Sequence, residues 1–107
     1  MRVLLDQGTP VPLRTCLDGH TVRTAAQEGW DRLSNGELLN AAEVAGFDVF
    51  VTTDKNMRHQ QNLTGRKSPS FVVLGKQQWP ELRAHVQRVA AAVNAAAPGS
   101  YAEVEVP

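Results

Sequence analysis

Two short apolar runs, Met1–Leu5 and Asp48–Thr53, each stop at an aspartate, Asp6 and Asp54. A strand that is apolar on both faces must be covered on both faces, and such strands belong to parallel sheets flanked by helices. The rest of the chain supplies the partners. Thr21–Thr24 and Ser70–Leu74 read as further strands, and Tyr101–Val106 alternates like a half-exposed edge strand, with Ala102, Val104 and Val106 on one face. Between them lie helical signals. Pro12–Leu17 reads as a short helix and Ala25–Leu33 as one helical turn with a loop around Gly29. Ser34 and Glu37 have capping-box spacing ahead of Leu38, Leu39, Ala41, Ala42 and Val44, and Gly46 closes that helix. Lys55–Leu63 is a short polar helix or loop. A last helix is expected from Glu81 to about Ala96, burying a stripe of Leu82, Val86, Val89 and Val93 and stopped by Pro98-Gly99. The order β-α-β-α-β-α-β-α-β predicts a three-layer α/β/α sandwich with a mainly parallel five-stranded sheet.

Length and composition narrow the function. With 107 residues, residues 1–107 form one expected domain. Hydrophobic residues are 42% and charged residues 21%, which excludes wholesale disorder. No apolar stretch is long enough for a bilayer crossing or, at the N-terminus, for a signal-peptide core, so no membrane role is expected. The lone cysteine, Cys16, cannot form an internal disulfide, and a cytoplasmic protein is expected. It reads as a packed thiol, and Trp30 and Trp79 as packing anchors. Eleven basic and eleven acidic side chains balance, which argues against general coating of nucleic acid but leaves room for a local patch. His20, His59 and His85 are too scattered for a zinc site, His20 reading as a turn residue. There is no Walker A, GxGxxG or GxSxG sequence.

In open α/β sheets ligands bind beyond the carboxyl ends of the strands. If the first and third strands are neighbours, Asp6 and Asp54 stand side by side there, and Glu37 approaches from the helix N-terminus. Three carboxylates that close repel one another unless a cation joins them, and hard oxygen ligands suit Mg²⁺ or Mn²⁺. Such an ion activates water for phosphodiester hydrolysis. Each acid also has a plainer reading: Asp6 and Asp54 as turn or cap residues, Glu37 as half of a capping box. The stretch Lys55–Lys67 holds four cations, Lys55, Arg58, Arg66 and Lys67, and no acid. With Gln61 and its neighbouring amides it offers donors to a nucleic-acid backbone, or it is simply a solvated loop.

The segments MRVLLD, GHTVRTA, GW, LSNGELL, FDVFVTTDKN and HQQNL, in this order, resemble the small PIN-like domains of bacteria and archaea, relatives of VapC-type toxins. The resemblance covers about Met1 to Leu74. It implies a parallel α/β/α sandwich and a Mg²⁺- or Mn²⁺-dependent ribonuclease encoded beside a small antitoxin-like protein. Asp6 matches the acid after the first strand, Asp54 the strand-ending aspartate, and Glu37 an acid early in the middle helix. Many relatives carry further acids where this chain has Gln7, Asn35 and Asn56. Asn56 then stands as a neutral metal ligand, and each missing charge weakens attraction for a divalent ion. Two rival readings follow: a catalytically weak module that works by binding a protein, and a receiver-like domain phosphorylated at Asp54. The second wants an acidic pair after the first strand and a late lysine, yet the chain has Asp6-Gln7 and no lysine beyond Lys76. VapC-like proteins are commonly dimers, and the alanine flank of the last helix (Ala91, Ala92, Ala95) is expected to remain open for a homodimer.

Overall fold

Branched and aromatic residues crowd Arg2–Leu5, Val49–Thr52 and Ser70–Leu74, where the chain runs through the interior of the sheet. The fold is seen in a computed structural model, which describes residues 1–6, 8–17, 19–53, 70–75, 82–97 and 101–104. The strands are β1 (Arg2–Leu5), β2 (Thr21–Thr24), β3 (Val49–Thr52), β4 (Ser70–Leu74) and β5 (Tyr101–Val104). A short 3-10 helix, Val11–Thr15, follows β1, and the α-helices are α1 (Asn35–Val44) and α2 (Val86–Asn94). The sheet has the order β2-β1-β3-β4-β5, and every neighbouring pair is parallel. β5 is an edge strand, as its alternation predicts.

Alternation along β1 divides the core. Val3 and Leu5 join Val49, Val51, Val72 and Leu74 on one face, which the 3-10 helix covers with Leu13, the segment ahead of α2 with Leu82, and α2 with Val89 and Val93. Leu4 and Phe50 point to the other face, where Leu38, Leu39 and Ala42 of α1 cover them together with Ala25 and Phe47. With elements on both faces, the predicted α/β/α layering with a parallel five-stranded sheet is what the chain adopts. Cys16 packs half-buried beside the first of these clusters, and its thiol donates to the Pro12 carbonyl at 3.5 Å. Among the described residues no helix is long and apolar enough to cross a membrane.

α1 is fastened at both ends. Ser34 Oγ accepts the Glu37 N–H at 3.3 Å, and Glu37 Oε1 accepts the Ser34 N–H at 3.2 Å, completing the capping box that the spacing predicts. At the other end Gly46 takes φ +79°, a left-handed angle. This lets the Gly46 N–H reach Glu43 O at 3.1 Å and the Phe47 N–H reach Ala42 O at 3.0 Å, which closes the exposed carbonyls of the last turn. The Arg2 guanidinium donates to the Ala45 carbonyl and lies 4.6 Å from the centre of the Phe47 ring. A cation at the helix C-terminus opposes the partial negative charge there. Trp30 meets Phe47 edge-on, ring centres 6.0 Å apart, in its expected role of packing anchor.

The segment after β2 makes one turn. Thr24 Oγ1 accepts from the Gln27 N–H at 3.1 Å and Gln27 Oε1 from the Thr24 N–H at 2.9 Å, a reciprocal cap on a helix that goes no further.

The last helix departs from expectation. Helical spacing predicts one helix from Glu81, itself outside the described residues, to Ala96, but a break precedes α2, which runs from Val86 to Asn94. Leu82 and Arg83 are helical as expected, but His85, with φ −124° and ψ 20°, leaves helical geometry, so Ala84 and His85 form a turn that sets them apart from α2, closed by the His85 N–H on Leu82 O at 2.9 Å. Leu82 is fully buried ahead of that turn, whereas Val86 after it is only half-buried. The alanine flank differs too: Ala91 and Ala95 are exposed, but Ala92 packs against the core beside Ala90 and Ala96. Because a nine-residue helix sits close on β4 and β5, it buries small residues as well as its valines. His20 is more than a turn residue. Its ring lies 3.2 Å from the Met1 amino group at Nδ1 and 2.6 Å from Asn94 Oδ1 at Nε2, tying the start of β2 to the end of α2.

Candidate functional site

The strand order decides where a site can form. From β1 the chain crosses to β2 on one side, while β3, β4 and β5 continue on the other. The β1–β3 seam is therefore the point where the winding reverses, and the crevice at its carboxyl end is where α/β sheets of this order bind ligands. The expectation that the first and third strands are neighbours holds: Leu5 pairs with Val51.

Asp6 stands at that carboxyl end. Its N–H donates to Val51 O at 2.8 Å, which extends the ladder one residue past β1. Its half-buried carboxylate accepts a hydrogen bond at Oδ2 from the Thr52 hydroxyl, 2.8 Å away. Thr52 is fully buried, in a strand otherwise made of Val49, Phe50 and Val51. The chain then turns tightly. The Thr9 N–H returns to Asp6 O at 3.0 Å, and the buried Thr9 hydroxyl donates to Val51 O at 3.3 Å. A Cβ on Gly8 would stand 3.1 Å from Thr53 Oγ1, closer than most side chains tolerate, so glycine allows the loop to lie against the end of β3. Thr9 and Thr52 are the polar residues that sequence reasoning missed. Their one signal was a hydroxyl at the end of an apolar strand and another after a Gly.

Glu37 reaches the same edge by topology. Arg2, at the amino end of β1, holds the C-terminal carbonyl of α1, so the helix ends at the amino edge of the sheet. Ten residues of α-helix span about 15 Å, and a four-residue strand about 13 Å. The first turn of α1 therefore lies toward the carboxyl edge, as Asp6 does. There Glu37 is exposed, and its contacts with Ser34, the side chain first and the backbone N–H second, hold its carboxyl below the usual glutamate range. The capping role predicted for Glu37 is thus realised, and its carboxylate stays charged.

The remaining predicted site residues, Asp54, Lys55, Asn56, Arg58, Gln61, Arg66 and Lys67, lie outside the described residues, as do Gln7 and Trp79. Among the described residues no three His, Cys, Asp or Glu side chains are grouped to hold a metal ion. The donor set read from the sequence, Asp6, Glu37, Asp54 and Asn56, is all oxygen, which is the chemistry that Mg²⁺ and Mn²⁺ select.

Compared with protein-family models, with curated proteins and with solved structures, the chain matches none.

Proposed function

We propose that this chain is a metal-dependent ribonuclease of PIN-like type, acting in the cytoplasm as the toxin component of a toxin–antitoxin pair. The observation that carries the proposal is the position of Asp6. It is a half-buried carboxylate at the carboxyl end of the winding-reversal seam, oriented by a buried threonine. In this reading Asp6 and Asp54 hold Mg²⁺ or Mn²⁺, with Glu37 and Asn56 assisting as acid and neutral ligand. The ion, when bound, supplies an activated water and polarises the scissile phosphate. The chain's own groups do the rest. The Thr52 hydroxyl anchors Asp6 by its hydrogen bond, and Lys55, Arg58, Arg66 and Lys67, with Gln61, hold the RNA backbone. A small antitoxin-like protein is the proposed partner, and the active form is proposed to be a homodimer.

A second reading has a specific observation behind it. Glu37 is engaged with Ser34 in the cap, and Gln7, Asn35 and Asn56 are amides, so the edge carries less charge than a strong divalent site needs. A module that binds a partner protein without cleaving RNA would tolerate this. One experiment separates the two: incubation of labelled RNA with purified chain and Mn²⁺, beside Asp6→Asn and Asp54→Asn. Cleavage by the wild type that both variants lose supports the nuclease. Cleavage unaffected by either variant, or none at all, rejects it.

A further inference from the structure

Asn35 and Gly36 are the first two residues of α1, and Asn35 is the only asparagine in the chain followed by glycine. In an Asn-Gly pair the glycine nitrogen is an unhindered nucleophile toward the preceding side-chain amide, since no Cβ stands beside it. Within a helix that nitrogen is restrained by the bond from its N–H to a carbonyl one turn back. The first such bond in α1 runs from the Leu38 N–H to Ser34 O, at 2.8 Å. Gly36 comes before it, among the N–H groups that the helix itself leaves unbonded. Attack builds negative charge on the nitrogen and then on an oxyanion, and the positive end of the helix favours both. We infer that Asn35 is a site of spontaneous deamidation and that the Ser34–Glu37 capping box sets its rate.

The chemistry needs only water. A base removes the Gly36 amide proton, and the nitrogen forms a bond to the side-chain amide carbon of Asn35. The carbon–nitrogen bond of that amide breaks, ammonia departs, and a five-membered succinimide remains. Water then opens the ring at the side-chain carbonyl to give aspartate, or at the backbone carbonyl to give isoaspartate. No electrons change hands. Ring closure requires Asn35 to leave helical backbone angles, so the first turn must open. The two reciprocal hydrogen bonds between Ser34 and Glu37 oppose that opening. The cap is therefore the brake.

The two products differ in effect. Aspartate adds a carboxylate to the first turn of α1, where a negative charge suits the helix. Isoaspartate lengthens the backbone within the turn and unseats the cap. A consequence that rests on the nuclease reading is that the aspartate form carries more negative charge at the edge holding Asp6, and so binds Mn²⁺ more tightly.

Peptide-resolved mass spectrometry after incubation in mildly alkaline buffer tests the modification directly. The expected result is conversion of amide to acid at Asn35 ahead of every other asparagine, several-fold faster in Ser34→Ala and suppressed in Gly36→Ala. An Asn35 that stays intact in the wild type while other asparagines convert overturns the proposal, and so does a Ser34→Ala variant, shown folded by circular dichroism, that converts no faster. Calorimetric titration of Mn²⁺ into wild type and Asn35→Asp isolates the consequence. Tighter binding by Asn35→Asp supports it. Equal affinity overturns the consequence alone, and binding by neither removes the metal site of the nuclease reading while the mass result stands.

Discussion

Asp6 and Thr52 are 46 residues apart in sequence and 2.8 Å apart in space, joined across the β1–β3 seam by the threonine hydroxyl. Thr52 is fully buried and Asp6 half-buried, so the bond sits where water competes poorly for either group. Replacing Thr52 by valine keeps the shape and removes the donor. Hydrogen bonds to charged groups contribute roughly 1.5–3 kcal/mol, and Thr52→Val should lower stability by about that much in urea titrations. A variant as stable as wild type would mean that Asp6 needs no help from Thr52.

Glu37 links the cap to pH. Its carboxyl is held below the usual range by Ser34, so the charged form is favoured in the folded chain more than in the unfolded one. The resulting stability is fully present above the unfolded value of about 4.3 and is lost as the pH falls through the folded value. Wild type should therefore exceed Glu37→Gln in stability at neutral pH, with the gap closing as the pH falls below the ordinary glutamate range. Denaturant titrations of the two proteins at a series of acidic pH values check this.

Gly46 has φ +79°, and a Cβ there would also come to 3.4 Å of the Arg2 guanidinium. Left-handed geometry costs an L-residue roughly 1–2 kcal/mol. Gly46→Ala should lower the melting temperature accordingly. A variant that melts with the wild type would show that the end of α1 can be rebuilt without the left-handed turn.

Leu82 is wholly buried although it lies outside α2, ahead of the turn at Ala84 and His85. Truncation of a buried leucine costs about 2–5 kcal/mol. Leu82→Ala should fall in that range by chemical denaturation, while Val86→Ala, at a half-buried position, should cost clearly less. Equal losses would mean that the helical stripe extends through Val86 after all.

Much of the fold was legible because its signals are local. β1, β3 and β4 are runs of branched and aromatic residues, and α1 carries both its cap and its closing glycine in sequence. The break at His85 was not legible, because Leu82 and Val86 keep helical spacing through it. The polar partnerships of the site were not legible either. Periodicity shows which face a residue occupies but not which distant group it meets. Thr52 looked like any strand threonine, and His20 gave no sign of Asn94, 74 residues away. Asp6 was found because an acid that ends an apolar run stands out, and the strand order then put it at the seam.

The parallel sheet also shapes how the chain must come together. No two neighbouring strands are joined by a hairpin: Arg2 pairs with Thr21, Val3 with Val49, Val49 with Ser70 and Phe71 with Tyr101. Each ladder closes a long loop before it gains a single interstrand bond, and chains dominated by such distant contacts fold slowly. β1 precedes the other four strands in the chain yet lies in the interior of the sheet, so it cannot gain its second neighbour until β3 has been made. Until then an apolar segment waits with one edge open, which makes the partly synthesised chain, more than the finished one, the form most exposed to aggregation.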